Sequence, residues 1–116
     1  MKQKPDRTLK VAENLKRAIA NIIIEEEIFI ENTYITISNI LPSKDFGFVK
    51  VYFRTTQSKH KDIIEKLLTS FSAKWGFKLM KTLRLSKNPH LVFFYDDTFE
   101  VGEEIKQILE NIDKDL

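Results

Sequence analysis

Lys74, Lys78 and Lys81 are spaced four and three residues apart, which stacks three ammonium groups along one side of any helix that carries them. Arg84 and Lys87 continue the series and drift around the same axis. A row of cations of this kind suits a phosphate backbone. The alternative is an ordinary solvated helix face, which would mix acids with bases, yet no acid occurs between Lys66 and His90. A second set alternates aromatic and basic side chains. Phe48, Lys50, Tyr52 and Arg54 fall on one face of an extended segment, where rings can stack on bases and cations can hold phosphates. The competing reading places these rings under the last helix or treats them as plain strand formers. The N-terminal cations Lys2, Lys4, Arg7 and Lys10 are available as supporting contacts.

Nucleophilic and metal chemistry are less well served. The chain has no cysteine, which excludes disulfides, a thiol nucleophile and cysteine-ligated metal sites. His60 sits in the polar start of a helical pattern and His90 follows Pro89; neither stands in a nucleophile–base arrangement with a serine. Asp96, Asp97 and Glu100 could gather a divalent cation, but Asp97 and Glu100 also have the spacing of a capping box, and Glu103 and Glu104 suit the positive first turn of a helix. No catalytic site, metal or cofactor is expected. Trp75 reads as a packing residue rather than a base-stacking one.

The elements that must position these groups have to come from 116 residues, enough for one compact domain. Residues 1–116 are read as a single domain with residues 1–5 as an N-terminal tail. The apolar content of 42% fits a globular chain, and no apolar run approaches the roughly 18 residues of a membrane span. A cytoplasmic protein without membrane contact is expected. The net charge of +2 conceals a segregation. Residues 1–20 hold six bases and two acids, 21–43 only four acids, 44–87 eleven bases and three acids, and 88–116 two bases and eight acids. A local positive field of this kind attracts polyanions.

Leu9, Ala12, Leu15, Ile19, Ile22 and Ile23 recur at helical steps and predict a helix over about 6–27. Glu25, Glu26 and Glu27 sit badly at its negative pole, which predicts fraying or a turn there. Alternation around Ile35 and Ile37, ended by Pro42, predicts a first strand, and Val49, Val51 and Phe53 predict the buried side of a second, antiparallel to it. Ser58 is a candidate N-cap for a helix carrying Ile63, Ile64, Leu67, Leu68 and Phe71 to about Ala73. Gly76 marks a kink or helix end before a further helix closed by Pro89. Leu91 to Tyr95 predicts a third strand. A last helix over about 98–112 should bury Val101, Ile105, Ile108, Leu109 and Ile112. The order helix, strand, strand, helix, helix, strand, helix is an α+β layout, that of a type II KH-like domain. Glycines occur only at 47, 76 and 102, so the Gly-x-x-Gly clamp of RNA-binding KH domains is absent.

Several segments together resemble a family. Lys10-Val11-Ala12-Glu13-Asn14-Leu15 through Ile22, Ile35-Thr36-Ile37 with Ser43-Lys44-Asp45 and Lys50-Val51-Tyr52, Leu83-Arg84-Leu85, and Pro89 through Thr98 with Gly102 resemble, in order and spacing, ribosome-binding factor A over roughly residues 7–112. The resemblance implies that an Ala-x-Gly kink between two helices replaces the Gly-x-x-Gly loop. Here it falls at Ala73-Lys74-Trp75-Gly76, with either Ala73 or Lys74 in the place of the family alanine. It further implies a monomeric, non-enzymatic assembly factor that binds the free small (30S) ribosomal subunit and assists late maturation of 16S rRNA. Phosphates would be held by Lys74, Lys78, Lys81, Arg84 and Lys87, supported by Lys50, Tyr52, Arg54, Lys10 and Arg7. The alternative is a protein–protein adaptor that uses the acidic last helix without touching RNA; a carboxylate-metal hydrolase ranks third.

Overall fold

A computed structural model describes residues 5–28 and 32–115. Helix α1 spans Pro5–Glu25, opening on a proline, whose fixed φ and missing N–H suit a first helical turn. Strands β1 (Ile35–Pro42) and β2 (Phe48–Thr55) form an antiparallel pair. A short 3₁₀ turn at Ser58–His60 leads into α2 (Lys61–Ser70), followed by α3 (Ser72–Leu83), β3 (His90–Tyr95) and α4 (Thr98–Asp115). The sheet order is β1-β2-β3, with β3 parallel to β2. A parallel neighbour needs a crossover, and α2 and α3 provide it.

The inner sheet face and the helices make one core. Val49, Val51 and Phe53 of β2 and Leu91 and Phe93 of β3 meet Leu15, Ile19, Ile22 and Ile23 of α1, Ile64 and Leu68 of α2, and Trp75 and Leu79 of α3. In β1 the buried residues are Ile37 and Ile40, three apart rather than two, because a bulge between Ile37 and Asn39 inserts Ser38 and resets the alternation. Leu9 and Ile63, expected in the stripes of their helices, are exposed.

The break between α2 and α3 lies at Phe71, where φ is −93° and ψ is 0°, a backbone conformation between helix and turn. Ala73, Lys74 and Gly76, expected at the kink, all lie inside α3. The cause is a long-range contact. The buried Ser72 hydroxyl donates to the Leu91 carbonyl at 2.7 Å and accepts from the Leu91 N–H at 3.2 Å. It thereby satisfies backbone groups on the free side of edge strand β3 and fixes where α3 starts. Gly76 has another reason to be glycine: a Cβ there would stand 2.4 Å from the Pro89 carbonyl oxygen and 2.5 Å from Asn88 Oδ1. The glycine admits the loop before β3, with no positive φ.

Two other boundaries differ from expectation. Helix α3 ends at Leu83, well before Pro89, because Arg84 adopts the left-handed conformation (φ 55°, ψ 47°) and the N–H groups of Arg84 and Leu85 both reach the Met80 carbonyl. The residue preceding α2 is His60, without a side-chain cap, so Ser58 does not cap that helix. Helix α4 departs most. Ile105, Ile108, Leu109 and Ile112, expected to be buried, each keep more than half of their surface exposed. Among the described residues the helix makes no extensive packing contact with the sheet or the other helices. The side chain of Val101 lies outside the described residues.

Candidate nucleic-acid interface

The outer side of α3 carries Lys74, Lys78 and Lys81, all exposed, because Trp75, Gly76 and Leu79 occupy the inner side. Trp75 is fully buried, stacked on Phe71 (centroids 4.9 Å apart, 4° between planes) and edge-on to Phe93 at 5.9 Å. This aromatic cluster fixes the rotation of α3 and hence the direction of the lysines. Phe77, which sequence reasoning missed, is half exposed among them, and Lys81 Nζ lies 5.2 Å from its ring centroid. A solvent-exposed ring flanked by cations is a platform for a nucleobase.

Two of the lysines meet acids. Lys74 pairs with Glu26 and Lys78 with Glu25, both at 3.1 Å. The acidic end of α1 thus finds its counter-charge on α3; the helix ends at Glu25, and Glu27 turns away with φ 54°. The Lys74 ammonium is the largest cause holding the Glu26 carboxyl below its ordinary pKa. The Lys78–Glu25 pair is exposed on both sides and contributes little, whereas Glu26 is partly buried beneath Lys74.

Arg84 and Lys87 do not continue the helical row, since both follow the end of α3. Lys87 donates to Asp45 at 2.6 Å, tying the loop before β3 to the β1–β2 turn. The same carboxylate accepts from the Gly47 N–H at 2.9 Å and the Ser43 hydroxyl at 3.0 Å. Lys87 first, then these two donors, hold Asp45 far below the usual carboxylate range. Arg84 is exposed and takes a left-handed conformation that glycine would adopt at lower cost.

The outer sheet face forms the second patch. Phe48, 60% exposed, meets His90 edge-on at 5.2 Å, and Tyr52 lies beside Phe94 at 5.7 Å. Lys50 is exposed, Tyr52 half-buried. With α4 standing away, these rings are not under the last helix. Arg54 lies six residues along β2 from Phe48, about 20 Å at the rise of a strand, so it belongs to the opposite end of the sheet. Lys10 is exposed on α1. Lys2 and Lys4 lie outside the described residues, as does the side chain of Arg7.

Of the acidic candidates, Asp96 has structural partners, and the side chain of Glu100 lies outside the described residues. Asp96 accepts from the Ser38 hydroxyl and, at 2.9 Å, from the Thr98 N–H. Asp96, rather than Asp97 as expected, therefore serves the start of α4. Ser38 is the largest cause keeping its carboxyl below the ordinary pKa. Among the described residues no group of three or more His, Asp or Glu could hold a metal ion, and no helix is long and apolar enough to cross a membrane.

A model of the ribosome-binding factor A family matches residues 7–109. The chain belongs to the ribosome-binding factor A family. It is 28% identical to ribosome-binding factor A of Legionella pneumophila (strain Lens) over 108 residues, covering 91% of this chain and 86% of that protein. It is 29% identical to ribosome-binding factor A of Buchnera aphidicola (strain Tuc7) over 115 residues, covering 94% and 95%. The crystal structure of ribosome-binding factor A from Thermus thermophilus superposes with a TM-score of 0.65 at 22% identity, covering 75% of this chain and 93% of that one. The α+β, KH-like fold expected from the element order is therefore the fold of this family member.

Proposed function

We propose that this chain is a non-enzymatic, RNA-binding ribosome-assembly factor of the cytoplasm, acting as a monomer. It attaches to the free 30S subunit and assists late maturation of 16S rRNA. The observation that carries this reading is the exposed row Lys74, Lys78 and Lys81 on the outer side of α3 in a ribosome-binding factor A family member. Phosphates replace Glu25 and Glu26 as partners of Lys78 and Lys74, at small cost for the exposed Lys78–Glu25 pair and at a larger one for Lys74, whose partner Glu26 is partly buried. Lys81 and Arg84 add charge, and Phe77 offers a ring to an unpaired base. The Phe48, Lys50 and Tyr52 face supplies further contacts. Lys87 contributes mainly by fixing the loop through Asp45. No step of this role requires a cofactor.

A second reading draws on the exposed apolar side of α4, flanked by Glu103, Glu104 and Glu110: the protein docks a basic protein partner and touches no RNA. Sedimentation of a cell lysate through a sucrose gradient separates subunits from assembled ribosomes. The assembly-factor reading expects this protein in the free small-subunit fractions and not with assembled ribosomes; its absence from every subunit fraction would reject that reading. Salt-dependent binding of purified protein to protein-free 16S rRNA then distinguishes RNA contact from docking through α4 alone.

A further inference from the structure

We propose that the cleft between α1 and the open end of the β1–β2 hairpin is a second phosphate site, which holds a backbone phosphate of single-stranded RNA between Lys16 and Arg54. The proposal rests on the RNA-binding reading above but concerns a different surface from the α3 row.

The cleft encloses about 660 Å³ and its lining includes Lys16, Arg54, Thr36, Ser38, Thr56 and Ser58. Among the described residues the lining includes no acid, in a chain with 17 Asp and Glu residues. Two cations beside threonine and serine hydroxyls, with no carboxylate among the described lining residues, form an anion site: guanidinium and ammonium supply charge, and hydroxyl protons other than that of Ser38, which Asp96 holds, fix orientation. Thr56 Oγ1 accepts from the Tyr34 N–H at 3.0 Å, which leaves its own proton to donate.

The backbone shapes the cleft. The bulge between Ile37 and Asn39 places Ser38 as the extra residue of β1, and bulges re-aim backbone groups beside functional sites. The Ser38 carbonyl accepts from Lys16 Nζ at 3.4 Å, so the ammonium is held across from the strand rather than trailing into solvent. The Ser38 hydroxyl turns to Asp96. Asp96 also acts on Arg54 electrostatically, but it does not line the cleft.

A neighbouring cavity of about 430 Å³ shares Lys16, Thr36 and Ile37 and adds Glu13, Arg17, Ala20, Ile24 and Ile35. Its lining is more apolar, and Ile24 is largely exposed. A cationic, hydroxyl-bearing chamber joined to an apolar one matches the alternation of phosphate and base along a single strand. The strand would follow the groove between α1 and edge strand β1.

The test uses the full chain and two probes: a single-stranded RNA decamer followed by fluorescence anisotropy over a salt series, and inorganic phosphate followed by amide NMR. The variants are Lys16→Gln, which alters an exposed residue and keeps the test available if a second change harms folding, and Lys16→Gln with Arg54→Gln. Each lost contact to a single strand should make the log–log salt slope shallower by about 0.7, and the double variant should bind about tenfold more weakly at low salt. Phosphate should shift the amides of Thr36 and Thr56 in the unaltered protein and leave them in place in the double variant. If the slope is unchanged in both variants while replacement of the α3 lysines still lowers it, the cleft is rejected and the RNA-binding reading stands. If phosphate shifts the cleft amides but the unaltered protein binds no RNA, both are rejected and the cleft is a site for free phosphate.

Discussion

In α3, Trp75, Gly76 and Leu79 are buried against the sheet, whereas in α4 Ile105, Ile108, Leu109 and Ile112 stand in solvent, although both helices carry one apolar side. The difference follows from what each helix meets. Helix α3 is drawn onto β3 by the Ser72 hydroxyl and admits the Pro89 loop through Gly76, so its apolar side closes the core and its lysines must face outward. Helix α4 leaves the sheet after Tyr95 with its start held by Asp96, and no other described element covers its apolar side. An amphipathic pattern establishes that a helix has two unlike sides; whether the apolar side is satisfied within the chain depends on contacts far away in sequence.

The contrast between the two helices is tested most severely at Gly76. Gly76→Ala would normally stabilise a helix interior by up to about 1 kcal/mol, but the added methyl would overlap the Pro89 carbonyl. We expect destabilisation of about 1–3 kcal/mol in urea denaturation at equal concentrations. A stabilised variant would show that α3 does not approach the loop this closely. In α4, a Cβ added at Gly102 would meet nothing within 4 Å, so Gly102→Ala should be neutral or mildly stabilising in the same experiment.

A smaller effect is expected in acid. The Asp45 carboxyl loses its proton more readily in the folded chain than in the unfolded one, because Lys87, Gly47 and Ser43 stabilise the anion. Its contribution is therefore complete above the unfolded value near about 4 and is lost as pH falls below that toward the depressed folded value. The thermal midpoint should fall over this acid range by a margin that Asp45→Asn removes, since the variant has nothing to titrate. An identical acid profile in the two proteins would dismiss the tie between the β1–β2 turn and the loop after α3.

The smallest effect belongs to α4. Replacing Ile108 and Ile112 together by Ala should change unfolding free energy by less than about 0.5 kcal/mol, because both side chains are already solvated. A loss of about 2–5 kcal/mol, the range of large-to-small core substitutions, would mean that α4 packs on the domain in solution.

Where periodicity is strong and its partners are adjacent elements, the sequence pattern and the fold agree: Leu15, Ile19, Val49, Val51, Phe53 and Trp75 are all buried, and the order of elements follows. The break between α2 and α3 is illegible in the sequence because the local signal, a glycine, points to Gly76. The residue that sets the break is Ser72, through Leu91, 19 positions away. Arg84 stops α3 in a conformation that its residue type does not announce. At the candidate interface the helical spacing of Lys74, Lys78 and Lys81 is readable. The pairing of Lys78 with Glu25 and of Lys74 with Glu26 is not, since it joins α3 to the end of α1 across a separation of 53 residues for Lys78 and Glu25. The Lys16 and Arg54 cleft depends on a bulge at Ser38 that no local motif marks.

If the outward side of α3 holds RNA phosphates, the salt dependence of RNA binding must report it. Lys74, Lys78 and Lys81 should be changed together to Ala, which keeps helix propensity high, and binding to a single-stranded 16S rRNA fragment measured across a salt series beside the unaltered protein. The expected result is a folded variant with weaker binding and a log–log slope shallower by about 2, from three contacts at about 0.7 each. A folded variant whose slope and affinity match those of the unaltered protein would contradict the assignment of α3 as the RNA-holding surface.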